Sequence, residues 1–501
     1  MKYISTRGNF RAVEAAEAIR TGMVPTGGLF VPEEIPVLSL TGIREMADKK
    51  YQEVALQVLE KFLTDYSREE LIDSIQAAYD SRKFPVEDVV PVVGLTENLY
   101  LMELWHGPTA AFKDMALQLM PRLMMRAIKK AELRKDIVIL VATSGDTGSA
   151  ALEGFKNLEG VKIIVFYPAE GVSKIQELQM TTIDGDNTYV VGVKGNFDDC
   201  QSAVKAIFAD QDVKDLLAAN GFQFSSANSI NWGRLVPQIV YYFSSYANLL
   251  KKDVLTEGEK INIVVPTGNF GNILAAYYAY KMGLPVNRFI CASNDNNVLA
   301  DFLSTGTYDI RRDFKRTISP SMDILISSNL ERFLFEITGR DADKINKWYQ
   351  ELKEEGVFEI DARTLADIHA IFTGGFATEE ETLKTIRESF DKYQYTLDPH
   401  TAVAVNVYEK YREESNDDTV TLLASTASPF KFAETVLQAL GQISAGKNGE
   451  ESLQELKKIS GQEIHPALRD LGDKEPVHKR VASHDRLADE ILDILQIRYT
   501  L

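Results

Sequence analysis

One lysine stands in a setting that a solvated lysine does not need. In LWHGPTAAFKDMALQLM, residues 104–120, Lys113 follows a Gly-Pro turn and a run of small apolar residues. Only an uncharged amine attacks an aldehyde, and an unperturbed lysine titrates near about 10.4. Bringing it toward about 7–8 costs about 4 kcal/mol, supplied by desolvation and nearby positive charge. Ala110, Ala111 and Phe112 provide the desolvation. Asp114 opposes it only if it faces the same side, and successive helical residues point apart.

Several other segments are built to receive anions. PTGNFGN, residues 266–272, lies between the apolar run INIVV and the helical pattern ILAAYYAYKMG. Its glycines and asparagines let backbone amides wrap an oxyanion. The spacing Gly268-x-x-Gly271 is not the dinucleotide fingerprint, and no Gly-Lys-Ser/Thr follows, so a compact phosphate is the expected occupant. VATSGDTGSAA, residues 141–151, places Ser144, Asp146, Thr147 and Ser149 at a strand-to-helix turn, which also reads as a plain N-cap. SSANSINWGRL gathers Asn231 and Arg234, and EGVSKIQELQM puts Lys174 at a helix start. Each of these also reads as a capped helix with a solvated cation. DPHTAVA and LASTASPFKF are further turns after apolar runs, and the second carries Thr426. A reactive lysine together with a small phosphate cradle points to pyridoxal 5'-phosphate, whose aldehyde a lysine captures and whose phosphate needs such a nest.

The elements that position these loops are set by periodicity. Short β-rich runs, IVILVAT, VKIIVFYP, TYVVGV, INIVVPT, RFICAS and VTLLAST, alternate with helical stretches. That alternation predicts an α/β fold with open, largely parallel sheets, whose ligands bind beyond the strand carboxyl ends. Residues 1–95 read as a helical N-terminal domain. Residues 96–300 and 396–440 read as the catalytic region, residues 301–395 as an insertion or peripheral subdomain, and 441–501 as C-terminal helices.

The chain has 501 residues, enough for roughly three domains. Its net charge of −18 argues against nucleic acid or an anionic membrane as partner. An anionic substrate would therefore require a locally basic pocket in an acidic protein. The two cysteines, Cys200 and Cys291, suit a reducing compartment and small-apolar packing. The six histidines lack zinc-like spacing, so no metal is expected. The opening MKYISTRGNF lacks a signal core and no apolar run is long enough to span a bilayer, so a cytoplasmic protein is expected.

HGPTAAFKDMA, TSGDTGSAA, SKIQELQM, NSINWGRL, PTGNFGN, STASPFKF and the opening MKYISTRG together resemble threonine synthase, in the longer form with an added N-terminal domain. The resemblance runs along nearly the whole chain. It implies the two-lobed type II pyridoxal-phosphate fold, similar to the β subunit of tryptophan synthase. It implies a lyase that converts O-phospho-L-homoserine and water to L-threonine and phosphate. By the same resemblance Lys113 is the Schiff-base lysine and the base at Cα. Gly268, Asn269, Phe270, Gly271 and Asn272 hold the cofactor phosphate, and Thr426 meets the pyridine nitrogen. Asp146 lies at the ring, while Ser144, Thr147 and Ser149 lie near the ring face or the substrate carboxylate. Lys174, Asn231 and Arg234 are the substrate-phosphate candidates. Asp146, Ser428 and Phe430 depart from the residues that many relatives carry there. A monomer or weak homo-oligomer is expected. The alternatives are a phospho-lyase or serine/threonine dehydratase of the same fold, and a non-catalytic metabolite-binding relative.

Overall fold

The computed structural model describes residues 1–132, 135–143, 145–195, 197–442 and 449–497, with the backbone alone for residues 197 and 198. Two sheets carry the fold. The first has five parallel strands in the order Arg480–Ser483, Thr188–Lys194, Val161–Pro168, Asp136–Ala142, Phe222–Ser226. The second has six, ordered Phe372–Phe376, Val286–Ser293, Ile261–Pro266, Thr421–Ser425, Leu99–Glu103, Val92–Gly94. Only its last pair is antiparallel.

These strands read as unbroken apolar runs because helices cover both faces. Along Asp136–Ala142, Ile137, Ile139 and Val141 enter one core while Val138 and Leu140 enter another. Along Ile261–Pro266, Ile263 and Val265 face one core and Val264 the other. Three strands run directly into the helices that matter here. Asp136–Ala142 leads to Asp146–Phe155, Phe222–Ser226 to Trp232–Lys251, and Ile261–Pro266 to Gly271–Lys281. Strand carboxyl ends and helix amino ends thus gather at the loops where open α/β sheets bind ligands.

Three boundaries differ from the sequence expectation. Residues 1–95 contain helices, but also the antiparallel pair Tyr3–Ser5 and Phe30–Pro32 and the edge strand Val92–Gly94. Tyr3 and Phe62 share a core with Trp232, their rings 5.3 and 5.7 Å from it, so this part is continuous with the rest. Residues 301–395 are not peripheral: Phe372–Phe376 pairs in parallel with Val286–Ser293. That strand, FTGGF, shows no apolar alternation because its middle must be bare. A Cβ on Gly374 would lie 2.9 Å from the Ala300 backbone. Residues 441–501 supply a strand as well as helices, since Arg480–Ser483 closes the edge of the five-stranded sheet. Cys200 and Cys291 are free and buried, as expected. No helix among the described residues is long and apolar enough to cross a membrane.

Candidate active site

Lys113 caps the short helix Asp114–Leu117. Ala110 takes a left-handed φ of 59° just before it. Phe112 N donates to Thr426 O at 2.8 Å, so the STASPFKF segment runs alongside the lysine. Lys113 Nζ donates to Ser321 Oγ at 3.1 Å and stands 3.5 Å from Asp146 Oδ2. Burial pulls its ammonium down to about 8; Asp146 resists this, and Lys431 and Arg234 add to it. About a tenth of the amine is then neutral at pH 7, against well under a thousandth for a free lysine. Asp114 does not oppose the shift at close range. It is turned the other way, accepting Thr109 N and Thr109 Oγ1 at 2.8 Å each.

Asp146 is the hub of the site. It opens the helix Asp146–Phe155 and is buried. Oδ1 meets Lys431 Nζ at 2.9 Å and Gln176 Nε2 at 3.0 Å, and Oδ2 accepts from Ser321 Oγ at 2.9 Å. Burial alone would raise its carboxyl, but Lys431, Lys113 and His400 overcome that and hold it well below the usual carboxylate range.

The glycine-asparagine loop forms a second wall. Phe270 takes a left-handed φ of 61° ahead of the helix Gly271–Lys281, turning the first-turn amides outward with no carbonyl behind them. Its ring is buried against Phe333 at 5.2 Å, which holds that backbone in place. Asn269 is exposed, and its Oδ1 accepts from Ser328 Oγ at 3.1 Å. Asn272 Oδ1 accepts from Tyr241 and Tyr242 hydroxyls at 2.5 and 2.6 Å, which fixes the amide; its Nδ2 is buried and has no partner among the described residues. Gly268 lies under the turn Pro320–Met322, where a Cβ would come within 2.8 Å of Ser321 O. The same turn therefore touches Lys113 through its serine side chain and the cradle through its backbone.

Arg234 is buried with Nη1 on Ala227 O at 2.6 Å, and its Nε has no partner among the described residues. Burial lowers its guanidinium to about 10. Buried polar atoms are rarely left without partners. Asn272 Nδ2 and Arg234 Nε, both donors without a partner among the described residues, are the kind of groups a phosphate would satisfy. Lys113, Lys431 and Arg234 also answer the charge question, because they outnumber Asp146 at the heart of an acidic chain.

The other sequence candidates are placed less centrally. Thr426 is buried, with N donating to Thr401 Oγ1 at 3.3 Å, and its own hydroxyl has no protein partner among the described residues. Ser149 Oγ donates to Asp146 O at 3.2 Å, and Thr147 is half-buried in the same first turn. Ser144 lies outside the described residues. Asn231 is spent on structure: Nδ2 donates to Ile19 O and Ser226 O at 2.9 Å each, and Oδ1 caps Gly233 N at 2.8 Å. Lys174 points into solvent, 59% exposed and paired with Glu177 at 2.8 Å. The residue its segment contributes is Gln176. His106 is a hydrogen-bonder of the frame, with Nε2 2.7 Å from Glu103 Oε2 and its ring stacked on Trp105.

Sequence reasoning missed Ser321, Lys431, Gln176 and His400. Ser321 N donates to His400 Nε2 at 3.2 Å, and His400 Nδ1 bonds Asp398 Oδ1 at 2.9 Å, so DPHTAVA serves to pin that turn. Lys431 stands within STASPFKF, and the aromatic residues on either side of it were the available signal.

Comparison with known proteins accords with this geometry. The model of the pyridoxal-phosphate dependent enzymes matches residues 85–378, more than half the chain, which sets the class. Models described as threonine synthase N terminus and threonine synthase, C-terminal match residues 2–79 and 401–488 on either side. The chain is 37% identical over 487 residues to threonine synthase of Saccharomyces cerevisiae, covering 91% of this chain and 93% of that protein. It belongs to the threonine synthase family. It is also 41% identical over 435 residues to threonine synthase-like 1 of Pongo abelii, covering 85% of this chain but 58% of that longer relative. The chain thus spans little more than half the length of that curated protein. The crystal structure of PLP-bound threonine synthase from Brucella melitensis superposes with a TM-score of 0.86 at 37% identity, over 98% of each chain.

Proposed function

We propose that this chain carries pyridoxal 5'-phosphate on Lys113 and converts O-phospho-L-homoserine and water to L-threonine and phosphate. The observation that carries the reading is the enclosed Lys113 amine, drawn down to about 8 by burial and set against the cradle around Asn272. When bound, the cofactor supplies the electron sink that acidifies the substrate's α carbon.

The chain's own groups do the rest. Lys113 takes the proton at Cα, and Ser321 Oγ aims the amine. Asn272 Nδ2 and the amides of the first helical turn hold the cofactor phosphate, with Gly268, Asn269, Phe270 and Gly271 shaping the loop. Thr426 presents a hydroxyl to the pyridine nitrogen. Arg234 takes the substrate phosphate, because a buried guanidinium with no carboxylate partner among the described residues is stabilised by a dianion. In net terms the C–O bond at Cγ breaks and phosphate leaves with one proton of water; Cβ gives up a proton and takes the hydroxyl of water, and Cγ gains a proton to become the methyl group. The reading also holds the protein to be cytoplasmic, and monomeric or weakly self-associating.

The test is direct. Added pyridoxal phosphate should give a visible band that borohydride traps on Lys113, and O-phosphohomoserine should then yield threonine and phosphate in equal amounts. Lys113→Ala should lose both. A keto acid in place of threonine would assign the chain to the phospho-lyases.

A further inference from the structure

Lys431 has no part in the proposed reaction, yet its Nζ is fully enclosed. It donates to Thr109 O at 3.0 Å and meets Asp146 Oδ1 at 2.9 Å. Asp146 Oδ2 is the oxygen that Ser321 and Lys113 share. One carboxylate thus stands between two amines, the part-buried Lys113 on one oxygen and the buried Lys431 on the other. Resting on the assignment of Lys113 as the reactive amine, we propose that Lys431 is a positioning residue that neutralises Asp146, so that Asp146 orients Lys113 through Ser321 without holding it protonated.

The geometry argues for this over simple packing. A lone buried carboxylate 3.5 Å from Lys113 would stabilise the ammonium strongly, because low-dielectric surroundings barely screen it. That would undo the desolvation which the Ala-Ala-Phe setting provides. With Lys431 on the opposite oxygen, the pair carries no net charge, and its residual field at Lys113 is that of a dipole. Gln176 Nε2 on Oδ1 further commits that oxygen to the Lys431 side. Lys431 itself is fully buried between two phenylalanines in the sequence PFKF, a costly place for a charge unless the charge is used.

Lys113 is faced by Asp146, Lys431 and Arg234. Asp146 is faced in addition by His400. Lys431 also acts on Asp114 and His465. Of these only Asp146 lies between the two lysines.

The experiment is a charge-swap cycle on the full chain. The titration of Lys113 is read by acetylation with acetic anhydride from about pH 6 to about pH 10 and mass spectrometry of the Lys113 peptide. Wild type should show a midpoint near about 8. Lys431→Met should raise it by about one unit or more, Asp146→Asn should lower it, and the double variant should return close to wild type. Should Lys431→Met not fold alone, Asp146→Asn against the double variant carries the same comparison, because the double leaves no lone buried charge. A midpoint that Lys431→Met leaves unmoved, or a double variant that stays as far from wild type as either single variant, overturns the proposal. Since the readout needs no cofactor, it stands apart from the assay of pyridoxal-phosphate capture, whose failure would sink the proposed function instead.

Discussion

Lys113, part-buried, and Asp114, fully buried, are adjacent in sequence and face different partners, and each titrates far from its free value. Burial raises the Asp114 carboxyl to about 7, against its two bonds from Thr109. Its folded value lies above the unfolded value of about 3.9, so the folded chain binds this proton more tightly. The resulting stability is fully present below about pH 4 and is lost as pH rises through about 7. Asp114→Asn should therefore flatten the fall in stability between about pH 5 and about pH 8, measured by urea denaturation. An identical slope in the variant would clear Asp114 of that role. Residue chemistry of this kind is partly legible in a sequence. The setting of Lys113 is local, written in the residues before it. Lys431 is different: its meaning comes from Asp146, on another strand-to-helix turn, and no local pattern announces that meeting.

At the scale of elements, the turn Pro320–Met322 couples two parts of the site that belong to different segments. Its serine holds the Lys113 amine, and its backbone lies over Gly268. Gly268→Ala would push a methyl group to 2.8 Å from Ser321 O, so the turn must lift. We expect at least about a tenfold loss of pyridoxal-phosphate affinity, read by absorbance titration, with the melting temperature little changed. Equal affinity in the variant would mean that the turn does not bear on the cradle. Strands rich in valine and isoleucine were legible because their apolar runs are continuous. The edge strands Phe372–Phe376 and Arg480–Ser483 were not. One must be bare at Gly374 to let Ala300 pack close, and the other is short and largely exposed.

At the scale of the whole molecule, the N-terminal part is tied to the cradle through one enclosed guanidinium. Arg332 donates to Phe30 O at 2.9 Å, Ile230 O at 2.6 Å and Asn329 Oδ1 at 2.7 Å. Asn329 N in turn donates to Asn269 O at 3.1 Å. Arg332→Met would leave three acceptors without their donor, at about 1–3 kcal/mol each. The expected outcome is a loss of several kcal/mol in denaturant unfolding, accompanied by weaker cofactor binding. A variant as stable as wild type would show the two parts to be independent. The sequence indicated a separate N-terminal unit because its helical periodicity differs from the strand-helix alternation beyond residue 95. The shared core around Trp232 is a long-range fact that periodicity does not carry.

Gln176 does two jobs with one amide. Its Oε1 accepts from Ser173 N, completing the first turn of the helix Lys174–Thr181, while its Nε2 holds Asp146. A fraying of that single turn, far cheaper than unfolding the chain, would release the carboxylate from its grip. On this side the carboxylate is thus only as firmly set as one helical turn, while Lys431 and Ser321 keep hold of it from the others.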